Sequence, residues 1–298
     1  MKTFKEKKKT KRIKQKSDFW IAMVFSSIWI IGFIVFSVYP IIQSFIYSFN
    51  QVNVTPTGIV QEYLGLENVR AVLFDDVDFK AAISSYLVQM IVFIPVIIVV
   101  SLIIALLLNA ITKGKGFFRM IFFLPIVITS GPVIHQFISQ GIASFPGASE
   151  AINTAQLSNF LPMFIIDIIR TFLDSFIMIL WFTGIEILIF MVGLQKLDKS
   201  MYEAAKIDGA NAWESFWKIT LPALNPIIVI NVIFAVIMQS MFSLNPIISK
   251  IRKDMYAVEY GFGYAAAEAW IYFLVLVLVL GIYVLIFIRK PKRKVRIK

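Results

Sequence analysis

Residues 203–222 read EAAKIDGANAWESFWKITLP. Five charged side chains, Glu203, Lys206, Asp208, Glu214 and Lys218, fall in this one run, and on either side the chain is so apolar that it belongs in lipid. MYEAAKI and NAWESFWKI are both good helix formers, while DGA between them offers Gly209, which turns the chain without a side-chain penalty. The stretch therefore predicts helix, turn, helix. Ala204 and Ala205 present a low surface to another backbone, and Trp213, Phe216 and Trp217 suit the headgroup layer. Pro222 opens the next apolar segment. On the residues alone, an amphipathic loop lying on the membrane explains the run equally well.

The surrounding chain fixes the solvent. Of 298 residues, 59% are hydrophobic and 16% charged, outside the range of soluble domains. A membrane span takes about 20 residues, so this length holds six spans with loops and leaves no sizeable soluble domain. Apolar runs place the spans at about 19–40, 82–111, 117–138, 165–193, 223–244 and 265–288, and lipid requires them to be helical because no water satisfies an open backbone. The expected fold is an all-α membrane protein. A basic tail covers 1–18, a transmembrane domain 19–288 with the insert at about 195–222, and a second basic tail 289–298. The run from Phe19 to Tyr39 exceeds the roughly 7–15 apolar residues of a signal-peptide core and ends in no small-residue cleavage site, so it reads as a span. There is no cysteine and one histidine, His135, which excludes disulfide frameworks and thiolate metal sites and leaves no His-based metal centre.

The net charge of +11 is concentrated in the tails MKTFKEKKKTKRIKQK and RKPKRKVRIK. Flanking apolar spans, these are orientation and anionic-lipid signals, not a nucleic-acid surface. The side of the membrane holding both termini, the 112–119 loop and the insert carries 23 Lys and Arg; the opposite side carries five, Arg70, Lys80, Lys250, Arg252 and Lys253, and Arg170 falls inside a span. Both termini and the insert are expected in the cytoplasm, with the 250–253 cluster a local exception to the bias.

The insert resembles the EAA motif of ABC importer permeases: Glu-Ala-Ala, three residues, Gly, nine residues, Ile, one residue, Leu-Pro. Glu203, Ala204, Ala205, Gly209, Ile219, Leu221 and Pro222 occupy those positions. The likeness extends to the carbohydrate-uptake branch of the maltose and glycerol-phosphate type, through YPIIQSFIYSFNQ at 39–51, YLGLENVRAVL at 63–73, FFRMIFFLP at 117–125, GLQKLDKSMYEAAKIDGANAWESFWKITLPALNP at 193–226 and GYAAAEAW at 263–270. Asp198 stands where that branch commonly has Pro, 140–161 has no clear counterpart, and the segment after Asn245 lacks the usual Gly-Pro turn. The resemblance implies a six-span permease subunit whose insert is a coupling helix between spans four and five. It also implies a second homologous permease, two cytoplasmic ATPase subunits carrying ATP and Mg, and an extracellular solute-binding protein. Solute, a carbohydrate or related polyol or sugar acid, would cross the bacterial cytoplasmic membrane by alternating access. The chain shows no Gly-x-x-x-x-Gly-Lys-Ser/Thr phosphate loop, so it is expected to be no enzyme itself and to bind no cofactor or metal.

Polar groups within spans are costly and therefore functional candidates. Asp167, Arg170 and Asp174 fall three and four apart on one helix face, where they either neutralise one another or meet solute hydroxyls. Glu186, in WFTGIEILIF, has no neutralising sequence neighbour; Trp181 in the same segment offers a ring for a sugar face or ordinary packing. Asn231 and Gln239, eight residues apart, lie near one face of the fifth span and either bond solute or join helices. His135 reads as an interhelical hydrogen-bond group, and Pro95, Pro125 and Pro132 as kinks. Three other readings remain open: an ion-coupled carrier relaying through Glu186 and the Asp167–Arg170–Asp174 group, an ABC importer permease for a non-sugar solute, and an assembly factor that uses the insert only to recruit a cytoplasmic protein.

Overall fold

The computed structural model describes residues 19–55, 58–111, 114–128, 136, 161–163, 165–166, 169, 176–242 and 245–287. His135, Pro132, Asp167, Arg170 and Asp174 lie outside them. Among the described residues, four helices are long and apolar enough to cross a membrane: α1 (Phe19–Tyr47), α3 (Val77–Ala110), α5 (Phe176–Gln195, apolar over Met178–Gln195) and α10 (Gly261–Phe287). A bent pair, α7 (Ala212–Ala223) and α8 (Asn225–Ser240), meets at 64° and passes the same test together. The shorter apolar helix α4 (Lys115–Ile128) follows α3, and between the apolar segments run α2 (Glu67–Arg70, continued by a π turn at Ala71–Asp75), α6 (Lys199–Ile207) and α9 (Pro246–Met255).

The chain divides into two compact units. The described residues within Met1–Asp76 and Ile251–Ile271 form the first. The expected all-α fold is corrected by one two-stranded sheet: β1 (Asn50–Thr55) and β2 (Gly58–Tyr63) form an antiparallel hairpin with Asn50 opposite Tyr63 and Thr55 opposite Gly58. The signal was present in the sequence, where β-branched residues flank Pro-Thr-Gly at 56–58. Asn68 ties the hairpin down, its amide donating to the Ser48 and Asn50 carbonyls at 3.2 and 3.0 Å. The start of α10 runs against these carbonyls at Gly263, where a Cβ would overlap the Asn50 oxygen and lie 3.1 Å from that of Tyr47. Trp270 Nε1 donates to Ser44 Oγ at 2.9 Å, its ring meets Phe45 edge-on at 5.0 Å, and Tyr264 donates to Asp76 Oδ2 at 2.9 Å.

The second unit, Val77–Lys250 with Tyr272–Lys298, is built around α5, which packs against α3, α4 and α8. Helix α3 is apolar all round, yet Tyr86, Met90, Phe93, Ile94, Ile97, Ser101, Leu102, Ala105 and Leu108, recurring every three or four residues, form one buried face. Phe93 and Ile97 close on Ile179 of α5. Tyr283 donates to the Met90 carbonyl at 3.1 Å. Where α8 ends, Asn245 donates to the Ser240 carbonyl at 3.1 Å and the Tyr272 hydroxyl at 2.6 Å, while its side-chain oxygen accepts from the Ile247 N–H and so begins α9.

Candidate functional site

The polar insert is assembled by local rules. Asp198 caps α6, its carboxylate accepting the Ser200 N–H at 2.9 Å. That N–H holds the Asp198 carboxyl below its ordinary pKa. Its φ of −71° is one that proline also adopts, so Asp fills a Pro-compatible position while adding a cap. At the far end Ala210 N–H donates to Ala205 O and Gly209 N–H to Lys206 O, the pair of bonds of a Schellman terminus, with Gly209 at φ +77°. Asn211 starts α7 with a reciprocal capping box: its oxygen accepts the Glu214 N–H at 2.9 Å, and Glu214 accepts the Asn211 N–H at 3.2 Å. Lys218 adds an exposed i,i+4 ion pair to Glu214 at 3.0 Å, a minor contribution. Pro222 supplies no N–H to the carbonyl four residues back, and the turn ahead of it, Phe216–Thr220, widens to a π turn.

This folding sorts the motif residues. Glu203, Ala204 and Gly209 are exposed, along with Ile207, Lys206 and Asp208; Ala205 is buried against the chain itself. Ile219 and Leu221 are half-buried and Pro222 is exposed. The Glu203 side chain makes no hydrogen bond or ion pair among the described residues. Trp213 and Trp217 are exposed, and Trp217 meets Trp213 and Phe216 edge-on at 5.5 and 5.2 Å. The outward surface thus combines a free carboxylate, low side chains beside a left-handed glycine, a bare isoleucine and an aromatic ridge. It can accept a protein groove with both apolar and cationic lining.

Of the intramembrane candidates, the structure brings Asn231 and Gln239 to the same buried side of α8 and places Glu186 on the buried side of α5, which packs on α8. Glu186 is 1% exposed, and neither carboxylate oxygen has a hydrogen-bond partner among the described residues. Asn231 donates to the Ile227 carbonyl at 3.0 Å, but its own oxygen, like that of Gln239, accepts no hydrogen bond among the described residues. Trp181 is half-buried. Unmet acceptors inside an apolar bundle are a standing cost that a hydroxyl-bearing solute relieves.

Two features were not legible in the sequence. The Asn245, Ser240 and Tyr272 node joins residues 27 to 32 apart. Asp76, Asp254 and Glu268, from three separate segments, bring their carboxylate oxygens within 4.8 Å of one another; each also takes part in a further interaction.

No family model matches the chain. A probable ABC transporter permease protein of Bacillus subtilis is 29% identical over 254 residues, spanning 82% of this chain and 77% of that protein. A lactose transport system permease protein of Rhizobium radiobacter is 31% identical over 212 residues, 68% of this chain and 67% of its own length. Among solved structures, a bacterial alginate ABC transporter in complex with an alginate pentasaccharide-bound periplasmic protein contains a chain that superposes with a TM-score of 0.64 at 16% identity, covering 90% of this chain and 94% of that one.

Proposed function

The chain belongs to the permeases of sugar ABC transporters, and from that membership we propose that it is one of two permease subunits of an importer that moves a carbohydrate, polyol or sugar acid across the inner membrane by alternating access. It is an integral membrane protein with several apolar spanning helices. In this reading one transmembrane domain covers 19–288 and has six spans, α4 falling in the third and the fifth being α8. Both basic tails lie in the cytoplasm, in keeping with the 23-to-5 bias of Lys and Arg. Energy comes from two partner ATPases that carry ATP and Mg, and a solute-binding protein delivers the substrate. The alginate transporter, caught with its periplasmic protein, supports such a partner.

The observation that supports this reading is the exposed, bent α6–α7 insert, in which Glu203, Ala204 and Gly209 all face outward from a polar segment between the apolar helices α5 and α8. ATPase closure pulls the insert, and the pull reaches α5 and α8, between which it is strung. Glu203 supplies a charged contact, Ala204 close approach and Gly209 the bend, with Ala205, Ile219, Leu221 and Pro222 shaping the two helices. Trp181, Glu186, Asn231 and Gln239 are the solute-path groups on α5 and α8, joined by Asp167, Arg170 and Asp174. Because Glu186, Asn231 and Gln239 are buried in the single subunit, they meet solute only when the helices part. The test is co-purification in mild detergent followed by ATPase measurement with a panel of neutral sugars, polyols and uronates. Retention of ATPase subunits and stimulation by a sugar support the reading; a chain that purifies without them and transports on an ion gradient refutes it.

A further inference from the structure

A lever transmits force only if it does not fold under load, and α6 and α7 are joined at their tip by a glycine turn that has nothing within 4 Å of its own missing side chain. Two observations bear on how the insert avoids splaying. Near its root, the Tyr202 hydroxyl of α6 meets Thr220 Oγ1 of α7 at 2.8 Å, across 18 residues of chain. Thr220 is 5% exposed and its hydroxyl also reaches the Ser215 carbonyl at 3.4 Å, so its end of the pair is shielded from competing water and tied into the π turn, while Tyr202 is half-buried. Below it, the roots of the two flanking helices touch: a Cβ at Gly193 in α5 would lie 2.8 Å from Ile227 Cγ1 and 3.2 Å from Leu224 Cδ2, and Leu224, at the 64° bend, is fully buried.

We infer that Tyr202 and Thr220 are positioning residues: their hydroxyl pair clasps α6 to α7 so that displacement of the Gly209 turn is passed to α8 as a rigid-body movement, with close contact at Gly193 as the fulcrum. This rests on the coupling role proposed above. Without the clasp, α6 and α7 hinge apart at Leu197–Asp198 and at Leu224, and the stroke is absorbed in the insert. The neighbouring surface residues do not replace it, since the Glu214–Lys218 pair lies within α7 alone.

The test uses the full transporter complex. The chain has no cysteine, so Ala212→Cys at the start of α7 and Met241→Cys beyond α8, both exposed, take spin labels at two sites unique within this chain. In the otherwise native chain, pulsed electron resonance should give one narrow separation, the same in the nucleotide-free complex and in the complex trapped with ATP, Mg and vanadate. Tyr202→Phe and Thr220→Val, which remove the bond from opposite ends and keep the packing volume, should each broaden that distribution about twofold or shift it on trapping, while ATP turnover stays within about twofold of native. Thr220→Ser, which keeps the hydroxyl, should restore the narrow separation. Unchanged distributions in both variants overturn the inference, as does equal broadening in Thr220→Ser. Failure of the coupling reading itself shows separately, as a Glu203→Lys chain that still binds the ATPases and transports.

Discussion

Alanine at Gly263 and alanine at Gly281, two glycines of the same helix α10, should act in opposite directions. At Gly281 a Cβ meets nothing within 4 Å, so alanine only improves helix propensity and is neutral or stabilises by up to about 1 kcal/mol. At Gly263 it would overlap the Asn50 carbonyl oxygen, with Asn50 C at 3.0 Å and Tyr47 O at 3.1 Å. These neighbours are backbone held by the Asn68 amide, so they cannot swing aside as a side-chain end would. The helix must retreat, and the retreat strains the Trp270–Ser44 hydrogen bond, the Trp270–Phe45 ring contact and the Tyr264–Asp76 hydrogen bond. At about 1 kcal/mol for each of these three contacts, the loss is about 3 kcal/mol, the upper end of what an over-packed site costs. Melting of the detergent-solubilised complex, followed by loss of monodisperse protein on heating, should show Gly263→Ala lower by roughly 6–12 °C and Gly281→Ala unchanged or higher. Equal melting temperatures for the two variants would refute the packing described around Asn50.

Gly209→Ala must hold φ +77° with a Cβ, so the turn should lose about 1 kcal/mol and ATPase retention should fall, read as a weaker co-purified band. Asn211→Ala removes the reciprocal cap of α7 and should lower stability by about 1 kcal/mol in the same melting assay, with Asn211→Ser recovering most of it. Asn245→Ala abolishes the bonds to Ser240, Tyr272 and Ile247 and should cost about 2–4 kcal/mol. Glu186→Gln keeps the shape of a buried carboxyl that has no partner among the described residues, so melting should hold or rise while sugar-stimulated ATP turnover drops about tenfold or more.

What could be read from sequence depended on where the controlling interaction lies. The apolar helices were legible because length and composition alone mark them, although their ends were not: α3 begins at Val77, ahead of 82, because Asp78 and Lys80 sit comfortably in its first turns, and α10 begins at Gly261, ahead of 265. In the insert the two helices and the Gly209 turn were legible, since a turning glycine acts on backbone within a few positions; the caps at Asp198 and Asn211 act as locally, but Asp198 stood out only as a departure from Pro and Asn211 did not stand out at all. Which side of α3 is buried was not, because a helix apolar all round carries no moment to point it. The clasp between Tyr202 and Thr220 and the node at Asn245 join side chains 18 and 27 residues apart, and nothing in either residue's own neighbourhood announces its partner.

Coupling requires the α6–α7 turn to meet an ATPase on the cytoplasmic side, and one labelling measurement addresses that contact. With no native cysteine, Asp208→Cys is a unique thiol at an exposed turn position. A membrane-impermeant maleimide should leave it untouched in intact cells, modify it in inside-out vesicles stripped of ATPase, and be blocked when the ATPase is restored. Modification from outside intact cells, or labelling indifferent to the ATPase while ATP-driven uptake proceeds, would contradict the account.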